Sequence, residues 1–210
     1  MTKVLVADDH TIVRAGISKI INDHPSMEVL DEASSGAEVL ELVGDKSYDI
    51  IILDINMPNI SGLDALKQLQ SIQPDTPVLI LSMYPESQYA TRTLKAGASG
   101  YLTKEAAPEN LIQAIQKVVS GGRFITPELA EQLAFTIGNE SRENPHDILS
   151  DREYQVMCAI ASGKSASEIA RDLHLSVKTV STYRTRVLEK MEFENNSQLT
   201  HYVIKNDLLL

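Results

Sequence analysis

Three carboxylates, a hydroxyl and an ammonium stand in the first half of this 210-residue chain, each within two residues of the end of a short apolar run. Asp8 and Asp9 follow the run from Lys3 to Ala7, and Asp54 follows DIIIL at 49–53. Ser82 follows PVLIL at 77–81, and Thr103 with Lys104 follows the run from Ser99 to Leu102. Three carboxylates meeting at one edge repel and raise one another's pKa unless something cationic sits among them, and an all-oxygen donor set suits a hard divalent ion such as Mg²⁺, with Mn²⁺ the alternative. Lys104 adds a second kind of positive charge. An anionic nucleophile, a metal to screen it, a hydroxyl and an ammonium can together accept and hold a phosphoryl group. Singly, each of these residues would be a helix cap or a surface charge. The order acidic, acidic, hydroxyl, basic at the ends of runs one, three, four and five carries the reading. His10, beside the acidic pair, is a candidate ligand that reads first as polar surface.

What must position these groups is an open parallel sheet, in which ligands bind beyond the carboxyl ends of the strands. Between the runs lie helical patterns. Thr11 to Asp23 carries Ile12, Val13, Ile17, Ile20 and Ile21 at helical spacing, and Gly36 to Val43, Ser61 to Ile72 and Glu86 to Ala96 follow suit. A second strand is expected over Glu28 to Asp31. The solid apolar run before Asp54 is the pattern of a strand covered on both faces. Pro108 opens a fifth helix, and Gly121 with Gly122 ends it. Five βα units imply an α/β doubly wound, five-stranded parallel sheet.

Past Arg123 the character changes. A helix is expected over 126–137, followed by the polar, turn-rich stretch GNESRENPHD, so residues 122–147 read as a linker. Residues 148–210 hold only helical patterns, over about 151–162, 166–173, 177–191 and 197–206. Ser150 with Glu153 and Ser165 with Glu168 have capping-box spacing. A helix, a short turn and a second helix opened by Ser176 make a helix-turn-helix layout. On that second helix Val177, Val180, Val187, Leu188 and Met191 share one side. Lys178, Ser181, Thr182 and Thr185 lie opposite, a small polar face free of acids that could enter a major groove and meet base edges. Arg184, Arg186 and Lys190 flank it and are better placed for phosphates, although Arg184 projects towards the apolar side, where it could serve packing instead.

Residues 3 to about 121 resemble the receiver domain of bacterial two-component response regulators, through ADDH at 7–10, LDINMPNISG at 53–62, LS at 81–82 and GYLTK at 100–104. The resemblance implies a flavodoxin- and CheY-like fold in which Asp54 is the phosphoacceptor, Asp9 binds Mg²⁺ directly with Asp8 assisting, and the Asn56 backbone carbonyl completes the protein ligands. Lys104 would pair with the phosphoryl oxygens, Ser82 would donate to them, and Tyr101 would be an aromatic switch that turns inward when Ser82 moves. Asn56 and Tyr84, two residues past Asp54 and Ser82, would set the lifetime of the acyl phosphate. Residues 148–210 resemble the LuxR-type output domain of NarL/FixJ regulators, on Leu149, Arg152, Glu153, Val156, Ile169, Ala170, Ser176, Lys178, Thr179, Val180 and Lys190. That implies an all-α four-helix, DNA-binding domain whose last helix can dimerise. The sequence departs from this family at Ala166, where Asn is usual, and at Glu194 to Asn196, where a basic residue is common.

The implied protein is a phosphorylation-switched transcription factor. Its partners would be a sensor histidine kinase, double-stranded DNA, a second copy of itself on half-sites ~34 Å apart or a multiple, and RNA polymerase. Two rivals stand beside it. An aspartate-nucleophile phosphatase would need a carboxylate two residues beyond Asp54, where Asn56 stands, which leaves at most slow self-dephosphorylation. A regulator worked by contacts without phosphorylation would be indifferent to Asp54→Asn. The formal charge of −10 argues on its face against DNA. It is unevenly spread, however: residues 1–121 carry 9 basic and 16 acidic side chains, and residues 148–210 carry 8 of each. Asp8 and Asp9 interrupt the first apolar stretch as no secretory signal would, and no run of ~18 apolar residues occurs, so a cytoplasmic protein without membrane contact is expected. Cys158, the lone cysteine, sits in an apolar run and reads as a buried core thiol.

Overall fold

The computed structural model describes residues 1–127, 129–131, 144–206 and 208–209. The chain divides into two compact units, Met1–Glu131 and Gln132–Leu210.

The first unit is five strands alternating with five helices: β1 (Thr2–Ala7), α1 (Thr11–Asn22), β2 (Met27–Ala33), α2 (Gly36–Asp45), β3 (Ile50–Asp54), α3 (Gly62–Ile72), β4 (Val78–Ser82), α4 (Glu86–Lys95), β5 (Gly100–Thr103) and α5 (Ala107–Val119). The strands are all parallel in the order β2-β1-β3-β4-β5, so the winding reverses between β1 and β3. β3 and β4 are buried at every position, as helices on both faces require. On one face Val4, Val6, Ile50, Ile52, Leu79 and Leu81 pack against Ile17 and Ile21 of α1 and Leu111, Ile115 and Val118 of α5. Alternation turns Leu5, Ile51, Leu53 and Ile80 to the opposite face, and they too are fully buried. β2 runs longer than the apolar pattern suggests because it is an edge strand, whose alternate residues Glu28, Leu30 and Glu32 are open or half-open to water.

The glycine pair after α5 marks the end of this unit in the sequence, yet the chain beyond it stays attached. Phe124 forms a parallel bridge with Gly100 on the free edge of β5: Tyr101 N–H donates to Phe124 O at 3.1 Å and Phe124 N–H to Ser99 O at 3.0 Å. Gly100 makes room for this, since a Cβ there would lie 2.8 Å from the Phe124 carbonyl oxygen. The Thr126 hydroxyl donates to Glu86 at the start of α4, and Leu129 is buried. Of the helix expected over 126–137, Pro127 and residues 129–131 are helical, and 132–137 lie outside the described residues.

In the second unit a 3₁₀ turn (Pro145–Ile148) precedes α6 (Asp151–Ala161), α7 (Ala166–Asp172), α8 (Val177–Lys190) and α9 (Asn196–Lys205). Both capping boxes form, Ser150 with Glu153 and Ser165 with Glu168, and Ser176 and Asn195 cap α8 and α9. Val156, Ile169, Ala170, Leu173 and Val180 make the core, and Cys158 is buried. The turn from α7 to α8 passes through His174 at φ 53°. Among the described residues no helix is long and apolar enough to cross a membrane.

Candidate functional site

At the carboxyl ends of β1 and β3, where the winding reverses, Asp8 and Asp54 are almost wholly buried, at 1% and 2% exposure. Lys104, one residue past β5, spans them: its Nζ lies 2.7 Å from Asp8 Oδ2 and 2.7 Å from Asp54 Oδ2. The lysine is brought there by its backbone, whose N–H donates to Ser82 O at 2.8 Å. Burial works against its ammonium, but Asp54 and Asp8 outweigh that and hold its pKa above the ordinary lysine value. Burial pushes the Asp54 carboxyl up to about 6; Lys104 opposes the rise, the charge on Asp8 adds to it, and the Asn56 N–H lowers it again. One ligand atom from each of Asp8, Asp9, His10 and Asp54 falls within 4.8 Å of the others. With the three carboxylates ionised and Lys104 charged, two negative charges remain, which is the complement of one divalent cation. Hard oxygen donors facing that balance fit such an ion.

His10, which by residue type reads first as polar surface, reaches this cluster. Its Nδ1 lies 2.9 Å from Asp9 Oδ1 and 3.3 Å from Asp8 Oδ1, and its N–H donates to Asp8 Oδ1 at 2.8 Å, while its ring stays largely exposed. Arg14, which sequence reasoning did not single out, donates from Nη1 to the Asp8 carbonyl and from Nε to Glu32, bracing the end of β1 against β2. The only sequence signal for it is a basic residue one helical turn past the acidic pair.

The loop after Asp54 is held by close approach. A Cβ on Gly62 would lie 1.8 Å from the Asp54 carbonyl oxygen, and the Gly62 N–H donates to Ile55 O at 2.9 Å. Any side chain at 62 would displace the end of β3.

Ser82 ends β4, one register position beyond the partner of Asp54. Its buried hydroxyl accepts the Tyr84 N–H at 3.1 Å. Tyr84 is the hub of the residues named for switching and lifetime. Its hydroxyl accepts from Asn56 Nδ2 at 3.0 Å, its carbonyl accepts the Tyr101 hydroxyl at 2.8 Å, and its ring packs on Tyr89 of α4 at 4.6 Å. Tyr101 is fully buried, so the inward pose coexists with the Lys104–Asp54 pair. Burial raises the pKa of its phenol, so it stays a donor.

In the second unit the expected polar face of α8 is exposed: Lys178, Ser181, Thr182 and Thr185 all face water, with Val180 and Val187 buried behind them. The Ser181, Thr182 and Thr185 hydroxyls donate to the carbonyls of Val177, Lys178 and Ser181, which leaves their lone pairs outward. Arg186 is exposed. Lys190 is half committed elsewhere, with its Nζ 2.7 Å from the buried carboxylate of Glu153 on α6. Arg184 donates from Nε to Asn196 Oδ1 at 2.7 Å, a partner that residue type and spacing did not suggest.

Comparison with known proteins agrees with both halves. A profile described as response regulator receiver domain matches residues 4–116, and one described as bacterial regulatory proteins, luxR family, matches residues 147–203. The chain is 37% identical over 209 residues to the response regulator UvrY of Escherichia coli strain K12, covering 99% of this chain and 96% of that one. It is also 37% identical over 210 residues to the response regulator GacA of Pseudomonas aeruginosa, covering 100% and 98%. Among solved structures it is similar to RcsB from Salmonella enterica serovar Typhimurium bound to a promoter in the presence of the phosphomimetic BeF3⁻, with a TM-score of 0.60, 26% identity, and 96% and 97% coverage. A buried Asp–Lys–Asp cluster on a doubly wound sheet, followed by a helix-turn-helix unit with an acid-free polar helix face, therefore belongs to a two-component response regulator of the NarL/FixJ family, a transcription factor with a LuxR-type DNA-binding domain.

Proposed function

We propose that Asp54 accepts a phosphoryl group from a phosphohistidine on a sensor kinase and that the modified chain dimerises and binds DNA through α8. The observation that carries this is Lys104, buried and bonded to Asp8 and Asp54 at once. It holds one Asp54 oxygen in place and is free to exchange that oxygen for a phosphoryl oxygen once the carboxylate reacts. Asp8, Asp9, Asp54 and the Asn56 carbonyl are the residues that would hold Mg²⁺, which supplies charge neutralisation for the equatorial oxygens when bound. The other Asp54 oxygen attacks phosphorus in line, the P–N bond breaks as the P–O bond forms, and the departing imidazole keeps the electron pair and takes a proton. Ser82 then donates to a phosphoryl oxygen. That draws on the Tyr84 N–H it now holds and, through the Tyr84 carbonyl, on Tyr101. Asn56 and Tyr84, bonded to each other, restrict the approach of water and so set the lifetime of the acyl phosphate.

Lys178, Ser181, Thr182 and Thr185 would read base edges, and Arg184, Arg186 and Lys190 would meet phosphates. In this assignment residues 1–121 are the receiver and 148–210 the output domain, with the connecting segment between them anchored to the receiver through residue 131. The protein works in the cytoplasm, where its kinase, promoter DNA and RNA polymerase meet it; the structure of RcsB with a promoter and a phosphomimetic supports the DNA contact alone.

The test is incubation with Mg²⁺ and acetyl phosphate, read by intact mass. One phosphoryl group is expected on the unaltered chain and none on Asp54→Asn. Exchange of both Asn56 and Tyr84 for smaller side chains should change the half-life of the product by about tenfold or more, against the ordinary scale of one hydrogen bond to a charged site. Labelling of Asp54→Asn at equal yield, or an unchanged half-life, would each sink the corresponding part.

A further inference from the structure

A groove of about 360 Å³ opens in the second unit between the end of α6, the start of α7, α8 and the first turn of α9. Lys164, Ser165, Ser181, Arg184 and Asn196 are among the residues that line it. The two cations differ in what they meet. Lys164 Nζ lies 2.7 Å from Asp172 Oδ2. Among the described residues the Arg184 side chain meets no carboxylate, and Nε donates to the neutral Asn196 Oδ1 at 2.7 Å. A guanidinium is a planar fork of five N–H groups, and anchoring Nε fixes the plane while the four terminal N–H groups remain for a ligand. A fixed, charged fork matches an anion presenting two oxygens, as a phosphate does. Ser181 belongs both to this groove and to the exposed polar face of α8, so the groove adjoins the surface that would enter a major groove, where a strand's backbone runs alongside.

We infer that this groove seats one phosphate of the duplex backbone, with Arg184 making the contact and Asn196 acting as a positioning residue that holds the guanidinium in the plane the phosphate needs. The inference rests on the DNA reading of α8 and narrows it: Arg184 sets the register of the helix on the duplex and reads no base. Asn196, at the start of α9, thereby ties that helix to the quality of the contact made by α8.

Backbone contacts are independent of sequence, so the probe is a duplex of arbitrary sequence three helical turns long, titrated with the full chain between about 50 and 200 mM KCl. Arg184→Met is expected to make the slope of log K against log[KCl] shallower by about 0.9 per bound copy. Affinity at the lowest salt should fall about tenfold. Arg184→Lys should keep the slope. Asn196→Ala is expected to weaken binding severalfold on the unaltered background and to change nothing on the Arg184→Met background. Asn196→Asp keeps the acceptor but neutralises the arginine, so it should fold as well as the unaltered chain and lose slope as Arg184→Met does. An unchanged slope in Arg184→Met overturns the seat, and an Asn196→Ala penalty that persists without Arg184 overturns the positioning role. Failure of the unaltered chain to bind the duplex at any salt overturns the DNA reading itself, and the seat with it.

Discussion

At the scale of residues, the Asp54 carboxyl is almost wholly withdrawn from water. Its folded pKa of about 6 lies above the ordinary aspartate value near 3.8, with burial as the leading cause. Ionising it therefore costs the folded state a penalty that is absent below about pH 4 and complete above about pH 6. In chelator, Asp54→Asn should be more stable than the unaltered chain at pH 7 by about 3 kcal/mol, as two pKa units imply. The gap should close as pH falls through 6 towards 4. Urea unfolding at several pH values checks it, and a gap that is flat with pH would refute the account. The five groups of this site were legible because each lies just past an apolar run whose direction is known once the sheet is known to be parallel. The His10 contact was not, because whether the ring of a residue just before α1 turns towards Asp9 depends on loop torsions that no spacing rule reports. Asn196 was illegible for a related reason: its partner lies twelve residues away on another helix.

Among the elements, the helices of the second unit follow their caps closely. Ser150, Ser165, Ser176 and Asn195 each accept a backbone N–H in the first turn, so residue type alone marks their starts to within about one position. Glu153 shows how one side chain serves two elements. It closes the α6 capping box at the Ser150 N–H, 2.8 Å away, and takes the Lys190 ammonium from the end of α8 at 2.7 Å. Burial alone would raise its pKa, but Lys190 and the Ser150 groups outweigh burial and leave it below the usual glutamate value. A depressed folded pKa contributes stability that is fully present above about pH 4.5 and is lost as pH falls through the folded value. Glu153→Gln should therefore lower the unfolding midpoint of this unit at pH 7, by an amount that shrinks as pH falls from 4.5 through the depressed folded value, measured by helical circular dichroism. An equal loss at every pH would assign the residue a packing role alone. The elements that escaped the sequence reading were those without apolar periodicity: the charged second half of β2, and Phe124, one residue pairing through its backbone.

For the whole molecule, the net charge of −10 misleads until it is divided between the two units. The acidity is concentrated in residues 1–147, and residues 148–210 carry as many basic as acidic side chains, so a single copy would bind non-specific DNA weakly and two copies much better. The boundary between the units also lies later than composition suggests. Polarity rises after Gly122, but the backbone of Phe124 is still bonded to β5 and Leu129 is still buried. What this does for the molecule is protective. A parallel sheet of this kind ends in two strands with unpaired N–H and C=O groups, and such edges are templates for pairing with another chain. At β5 the departing chain covers part of its own edge. A receiver cut after Gly121 would bare that edge, whereas one cut after Glu131 would not. The shorter fragment should therefore scatter light and form oligomers with time at concentrations where the longer one stays monodisperse, so the ten residues that look like the start of a tether are what keeps the isolated receiver from sticking to itself.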